Sequence, residues 1–135
     1  MTNKLNSSCN AVFLLMYHLI IVVKYRKKIF DNKELVDDLK AKIIELSDRF
    51  DVEIIEQEVD KDHIHILFKS KPVLDMKKYI NVVKGITSRY IRTKYQDFLK
   101  DKLWGKHFWS DSYYLATSGN VCLQKLIKYI EDQQK

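Results

Sequence analysis

The order of hydrophobic patterns along this 135-residue chain predicts an α+β fold: an antiparallel four-stranded sheet with helices packed on one face, in a ferredoxin-like (RRM-like) arrangement. Three observations predict it. Runs rich in Val, Ile, Leu and Phe have strand length, three other stretches repeat at helical spacing, and the elements follow in the order strand, helix, strand, strand, helix, strand, helix. With only three Gly and one Pro there is no room for a flexible linker. Residues 1–135 therefore read as one domain with one core.

Ala11 to Val23 reads as a long, largely buried strand bounded by a polar head and a basic tail. Asp31 is placed to cap a helix running to about Phe50, with Leu35, Leu39, Ile43, Leu46 and Phe50 on its buried face. Val52–Val59 and His63–Lys69 form a hairpin around Asp60-Lys61-Asp62. Strand alternation puts His63, His65 and Leu67 on one face and Ile64, Ile66 and Phe68 on the other.

Pro72 marks the loop before a second helix, whose buried stripe reads Met76, Ile80, Val83, Thr87 and Tyr90. After a less regular stretch with Trp104 and Trp109, Tyr113 to Thr117 is a short fourth strand. Ser118-Gly119-Asn120 is a turn ending in a helix cap. The last helix runs from about Val121 to Gln133, with Leu123, Leu126, Ile127 and Ile130 towards the core.

A hydrophobic share of 46% with 31% charged residues is the balance of a globular chain. The apolar stretch ending at Val23 is too short to span a bilayer, and its polar residues argue against a signal peptide. Cys9 and Cys122 are far apart and lack metal-ligand spacing, so a cytoplasmic location with both as small packing residues is expected. A net charge of +6 and a pI near 9.2 lean towards a polyanionic partner, although charge alone does not single out nucleic acid.

His63-Ile64-His65 is the sharpest local feature. Its imidazoles lie on one side of a strand, close enough to share a metal ion, or else form an exposed pair on an open sheet face. Asp60 and Asp62 could orient the rings. Tyr129 and Gln133, four apart on the last helix, share a face offset from its apolar stripe. Alone, they read equally as a core-edge tyrosine and a surface glutamine.

Together these features are chemically coherent. A tyrosine is a weak nucleophile at neutral pH, and a divalent ion on a scissile phosphate would offset the charge that develops when it attacks. Two imidazoles and an amide carbonyl are a neutral ligand set for such an ion. Basic residues interleaved with Tyr25, Tyr79, Tyr90 and Tyr95 suit phosphates and unpaired bases, or else a solvated helix face with its aromatics turned inward.

Five blocks in order give the chain a resemblance. They are Tyr17-His18 through Lys24-Tyr25-Arg26-Lys27-Lys28; Asp60-Lys61-Asp62-His63-Ile64-His65-Ile66; Lys84-Gly85-Ile86-Thr87-Ser88-Arg89; Leu103-Trp104, Phe108-Trp109-Ser110 and Tyr113 through Gly119; and Tyr129-Ile130-Glu131-Asp132-Gln133. Over nearly its whole length the sequence resembles the single-tyrosine transposases of the HUH superfamily. These are the small IS200-like enzymes that move insertion sequences as single-stranded DNA. It departs from many relatives at Ile21-Val22-Val23, where they carry a Trp and a Pro, and at Ser118, where they often carry Val.

The resemblance implies that His63 and His65 are metal ligands, with Gln133 as the third. It implies that Tyr129 is the nucleophile of a 5′-phosphotyrosine intermediate and that the ion is Mg²⁺ or Mn²⁺. Its partners would be single-stranded DNA with imperfect hairpins at the element's ends and a second copy of the chain, to whose histidines the Tyr129 helix can be supplied in trans. From charge, Lys24, Tyr25, Arg26, Lys27, Lys84, Arg89 and Arg92 are the expected DNA contacts. Two other readings fit the same residues: a non-catalytic hairpin-binding module, and a domesticated relative acting on genomic palindromic repeats.

Overall fold

The computed structural model describes residues 14–103 and 105–117. Trp104, both cysteines, the Ser118-Gly119-Asn120 turn and the expected last helix, with Tyr129 and Gln133, lie outside the described residues, as do residues 11–13 of the first expected strand.

Strand β1 (Leu15–Val23) is followed by a 3-10 turn (Lys24–Arg26), helix α1 (Lys33–Asp48), β2 (Glu53–Val59), β3 (His63–Ser70), helix α2 (Met76–Lys94), a short helix α3 (Gln96–Leu99) and β4 (Trp109–Thr117). The sheet order is β2-β3-β1-β4, and every adjacent pair is antiparallel. This is the split βαβ topology expected from the element order.

Alternation divides each central strand. Leu19, Ile21 and Val23 of β1 and Ile64, Ile66 and Phe68 of β3 enter one core with Leu35, Leu39 and Ile43 of α1 and Tyr79, Ile80 and Val83 of α2. The two helices thus cover one face. The other face carries Ile20 and Val22, packed with Tyr114 and Ala116 of β4, and on it lie the histidines.

Several local expectations are corrected. The cap of α1 is Asn32, not Asp31: its side chain accepts from the Leu35 N–H at 3.1 Å. Both residue types cap helices, and only the backbone position chooses between them. The buried stripe of α2 includes Tyr79, Ser88 and Ile91, while Met76 and Tyr90 are half-buried. Tyr79 is fully buried and shares a 2.7 Å hydrogen bond with Ser47 of α1, so it is no platform for a nucleic-acid base. Strand β4 begins at Trp109, four residues before the expected Tyr113. The Trp109 indole is buried and donates to Thr87 Oγ1 at 3.0 Å.

Candidate functional site

The hairpin between β2 and β3 is pinned from outside. The Val23 N–H donates to the Asp62 carbonyl at 2.8 Å, and the Phe30 N–H donates to that of Lys61 at 3.2 Å. Asp60 is occupied within the turn, its carboxylate accepting from the Lys61 N–H at 2.7 Å. The two aspartates therefore separate: Asp60 shapes the turn, and Asp62 reaches a ring. Buried Asp62 places Oδ1 3.0 Å from His63 Nδ1. A carboxylate there favours the Nδ1–H form, so that Nε2 is the nitrogen that could hold a metal.

His65 lies two residues along the same face and is 5% exposed. Its backbone pairs with Ile20 on one side and Glu58 on the other. Its Nε2 lies 3.2 Å from Nδ1 of His18, which is 4% exposed. Burial is the main cause that lowers the His65 pKa. The His18 ring adds to it, Glu58 opposes it, and His63 contributes in the lowering direction. Burial likewise lowers that of His18. Both rings are thereby held towards the neutral, ligand-competent form.

From sequence, His18 stands only in the Tyr17-His18 block, with no part in the site. From Leu19 to Val23 every residue of β1 is apolar, so alternation carries no polar contrast there, and only pairing with β3 shows that His18 shares the face of His65. Among the described residues, no three His, Cys, Asp or Glu side chains converge on one point that could hold a metal ion.

The donor set nevertheless fits a divalent ion. His63 and His65 are imidazoles on one face, and His63 has the carboxylate partner that metal-bound histidines usually have. Neutral nitrogen donors suit Mn²⁺ better than the strongly oxygen-seeking Mg²⁺.

The expected DNA contacts divide between two places. Lys24, Tyr25, Arg26 and Lys27 form the turn after β1, at the sheet end where Val22 pairs with His63. There Tyr25 is 68% exposed, and it and Arg26 have φ of 59° and 54°. Arg89 lines an open groove along α2 with Lys77, Lys78 and Asn81, on the helical side of the sheet.

The other residues are engaged within the fold. Lys84 donates to the carbonyls of Ser110 at 2.8 Å and Asp111 at 3.1 Å, tying α2 to β4. Burial lowers its pKa. Arg92 Nε donates to Ser88 Oγ at 3.1 Å, and Tyr95 donates to Asp38 at 2.5 Å. No helix among the described residues is long and apolar enough to cross a membrane.

Residues 11–133 match the family of IS200-like transposases. The chain is 34% identical over 122 residues to the ISDra2 transposase TnpA of Deinococcus radiodurans, covering 90% of this chain and 86% of that protein. It is 29% identical to the transposase for insertion sequence element IS200 of Salmonella typhimurium, covering 88% and 78%. A solved structure from Deinococcus radiodurans, assigned as a transposase, superposes with a TM-score of 0.77 at 27% identity, covering 90% and 92%. A REP-associated tyrosine transposase bound to a REP hairpin shares the fold, with a TM-score of 0.51 at 13% identity, covering 87% and 61%.

Proposed function

Because this chain belongs to the IS200-like transposase family, we propose that it cuts and rejoins single-stranded DNA through Tyr129, next to a divalent ion held by His63, His65 and Gln133. Family membership makes it a DNA-processing enzyme. The observation that carries the finer reading is the Asp62–His63 hydrogen bond beside His65 on the sheet face opposite α1 and α2. A buried carboxylate that fixes one imidazole in a ligating form has no need to be there if the pair is only surface.

The Tyr129 hydroxyl attacks the scissile phosphorus. A bond forms between Tyr129 Oη and phosphorus, the bond to the 3′ oxygen breaks, and the products are a free 3′-hydroxyl and a 5′-phosphotyrosine. A second 3′-hydroxyl then attacks the phosphotyrosine and releases Tyr129. One phosphodiester is exchanged for another, so no nucleotide cofactor is consumed. A bound Mn²⁺ or Mg²⁺ supplies Lewis-acid polarisation of the phosphate. The task of Asp62 is to hold His63, and that of the Lys24–Lys27 turn is to hold the incoming backbone and bases.

The α2 groove with Lys77, Lys78 and Arg89 suits the phosphates of a folded hairpin, the kind of DNA that the REP-associated neighbour binds. Two copies of the chain, each contributing one Tyr129, complete a full exchange of ends.

The deciding experiment incubates the protein with hairpin-bearing single strands in Mn²⁺ or in EDTA and looks for protein covalently attached to a 5′ phosphate. Wild type forms the adduct only with metal, and Tyr129→Phe forms none while still binding the hairpin. An adduct in Tyr129→Phe overturns the assignment of the nucleophile. Hairpin binding without any cleavage in Mn²⁺ would favour a non-catalytic module.

A further inference from the structure

His18 stands outside the ligand set proposed above, yet its ring meets that of His65 directly. Nδ1 of His18 and Nε2 of His65 are 3.2 Å apart. The ring planes differ by 7° and the centroids are 5.4 Å apart. That separation is close to the nitrogen–nitrogen distance plus the two ring radii, so the parallel rings meet edge to edge rather than face to face. An N–H on either nitrogen then points along the line joining them. Two imidazoles sharing one ion would instead turn both lone pairs towards a point off that line. The geometry is that of a hydrogen bond, not of joint ligation.

Between two neutral imidazoles, one nitrogen donates and the other accepts. If His18 Nδ1–H donates, His65 accepts at Nε2 and carries its own proton on Nδ1, which leaves no lone pair for a metal. If His65 Nε2–H donates to His18 Nδ1, the Nδ1 lone pair of His65 stays available. Only the second arrangement lets His65 ligate while keeping the bond.

We propose that His18 is a positioning residue, accepting a hydrogen bond from His65 Nε2–H and so fixing the ring plane and the tautomer in which His65 ligates through Nδ1. The proposal rests on the reading of His63 and His65 as ligands. It makes the two histidines complementary: Asp62 takes Nδ1 of His63, His18 takes Nε2 of His65, and each leaves the opposite nitrogen for the ion. The site is then held from two sides, by the hairpin turn and by β1.

The test uses the full chain without DNA. Long-range proton–nitrogen NMR of the metal-free protein identifies the His65 tautomer, and Mn²⁺ titration followed by electron paramagnetic resonance gives the affinity. We expect Nε2–H on His65 in wild type. We expect His18→Leu to weaken Mn²⁺ binding by about 10- to 100-fold, the usual effect of losing a ligand's outer partner. His18→Asn, whose side-chain oxygen replaces Nδ1 as acceptor, should recover most of the affinity and the tautomer.

A proton on His65 Nδ1 in wild type overturns the proposal, as does wild-type Mn²⁺ affinity in His18→Leu. If His18→Leu does not fold, the wild-type tautomer and His18→Asn decide. If wild type binds no Mn²⁺, the ligand reading fails separately, and the tautomer still decides whether His18 positions His65.

Discussion

Asp62 Oδ1 lies 3.0 Å from His63 Nδ1, and both side chains are largely sheltered, at 9% and 12% exposure. The carboxylate aims the ring and favours its Nδ1–H tautomer. Asp62→Asn keeps the volume but removes the charge, and its amide can present a donor where an acceptor is needed. We expect Mn²⁺ affinity to fall about 10- to 100-fold, measured by titration on the folded protein. Asp60→Asn, whose residue acts only within the turn, should leave it nearly unchanged. Equal effects at the two positions would contradict the division of roles.

Acid should weaken the metal-free fold through the imidazole pair. Burial lowers the pKa of both His65 and His18 below the ordinary value of 6.5. As pH falls through 6.5, the unfolded chain takes up protons before the folded chain does. Their contribution to stability is therefore complete above about pH 7 and declines from there down to the lowered pKa values. Thermal melts in EDTA between pH 7.5 and 5 should show Tm decreasing towards acid, and His18→Leu should flatten the slope. A Tm that rises on the acid side would contradict burial as the cause.

The Tyr79 hydroxyl is pushed up to about 12 by burial, against the opposing hydrogen bond with Ser47. It is a structural group that joins α1 to α2. Ser47→Ala strands a buried phenol and should cost about 1–3 kcal/mol in urea unfolding, and Tyr79→Phe, which strands Ser47, a similar amount. The double variant leaves neither group unsatisfied, so its loss should be smaller than the sum of the two. Simple additivity would mean that the pair is not coupled.

Much of this architecture was legible because periodicity and polarity agree. In β3, His63 and His65 alternate with Ile64, Ile66 and Phe68, so the sequence separates the faces correctly. In β1 every residue from Leu19 to Val23 is apolar, and the face of His18 stays hidden until β3 pairs with it. Along α2 the spacing finds Ile80 and Val83 but leaves the stripe's edge uncertain by about one residue, and Tyr79 rather than Tyr90 goes inside. Ser110, Asp111 and Ser112, which follow Trp109 at the start of β4, are polar and lie where the pairing with β1 shifts register between Ile21 and Val23, so neither apolar content nor regular alternation marks them as strand. The proposed ion shows only part of its signature in one element, the His63–His65 pair of β3, since the remaining proposed residues come from a distant part of the chain.

The turn after β1 trades stability for exposure. Tyr25 and Arg26 both hold positive φ, at 59° and 54°, where a non-glycine residue costs about 1–2 kcal/mol. The turn cannot relax, because the Val23 N–H is bonded to Asp62 and the Lys24 N–H to Phe108 at 2.9 Å. What the strain achieves is a tyrosine ring held 68% exposed, with the Lys24 amine 5.5 Å from its centroid. That combination suits an unpaired base beside a phosphate.

Tyr25→Gly should therefore stabilise the fold by about 1 kcal/mol in urea unfolding. It should also weaken single-strand binding by about 1–3 kcal/mol, the worth of one stacked base. Tyr25→Phe keeps the ring and should retain affinity; Tyr25→Ala loses the ring without relieving the strain. Fluorescence anisotropy with a short labelled oligonucleotide separates the three variants, and undiminished binding by Tyr25→Gly would remove the Tyr25 ring from the DNA interface.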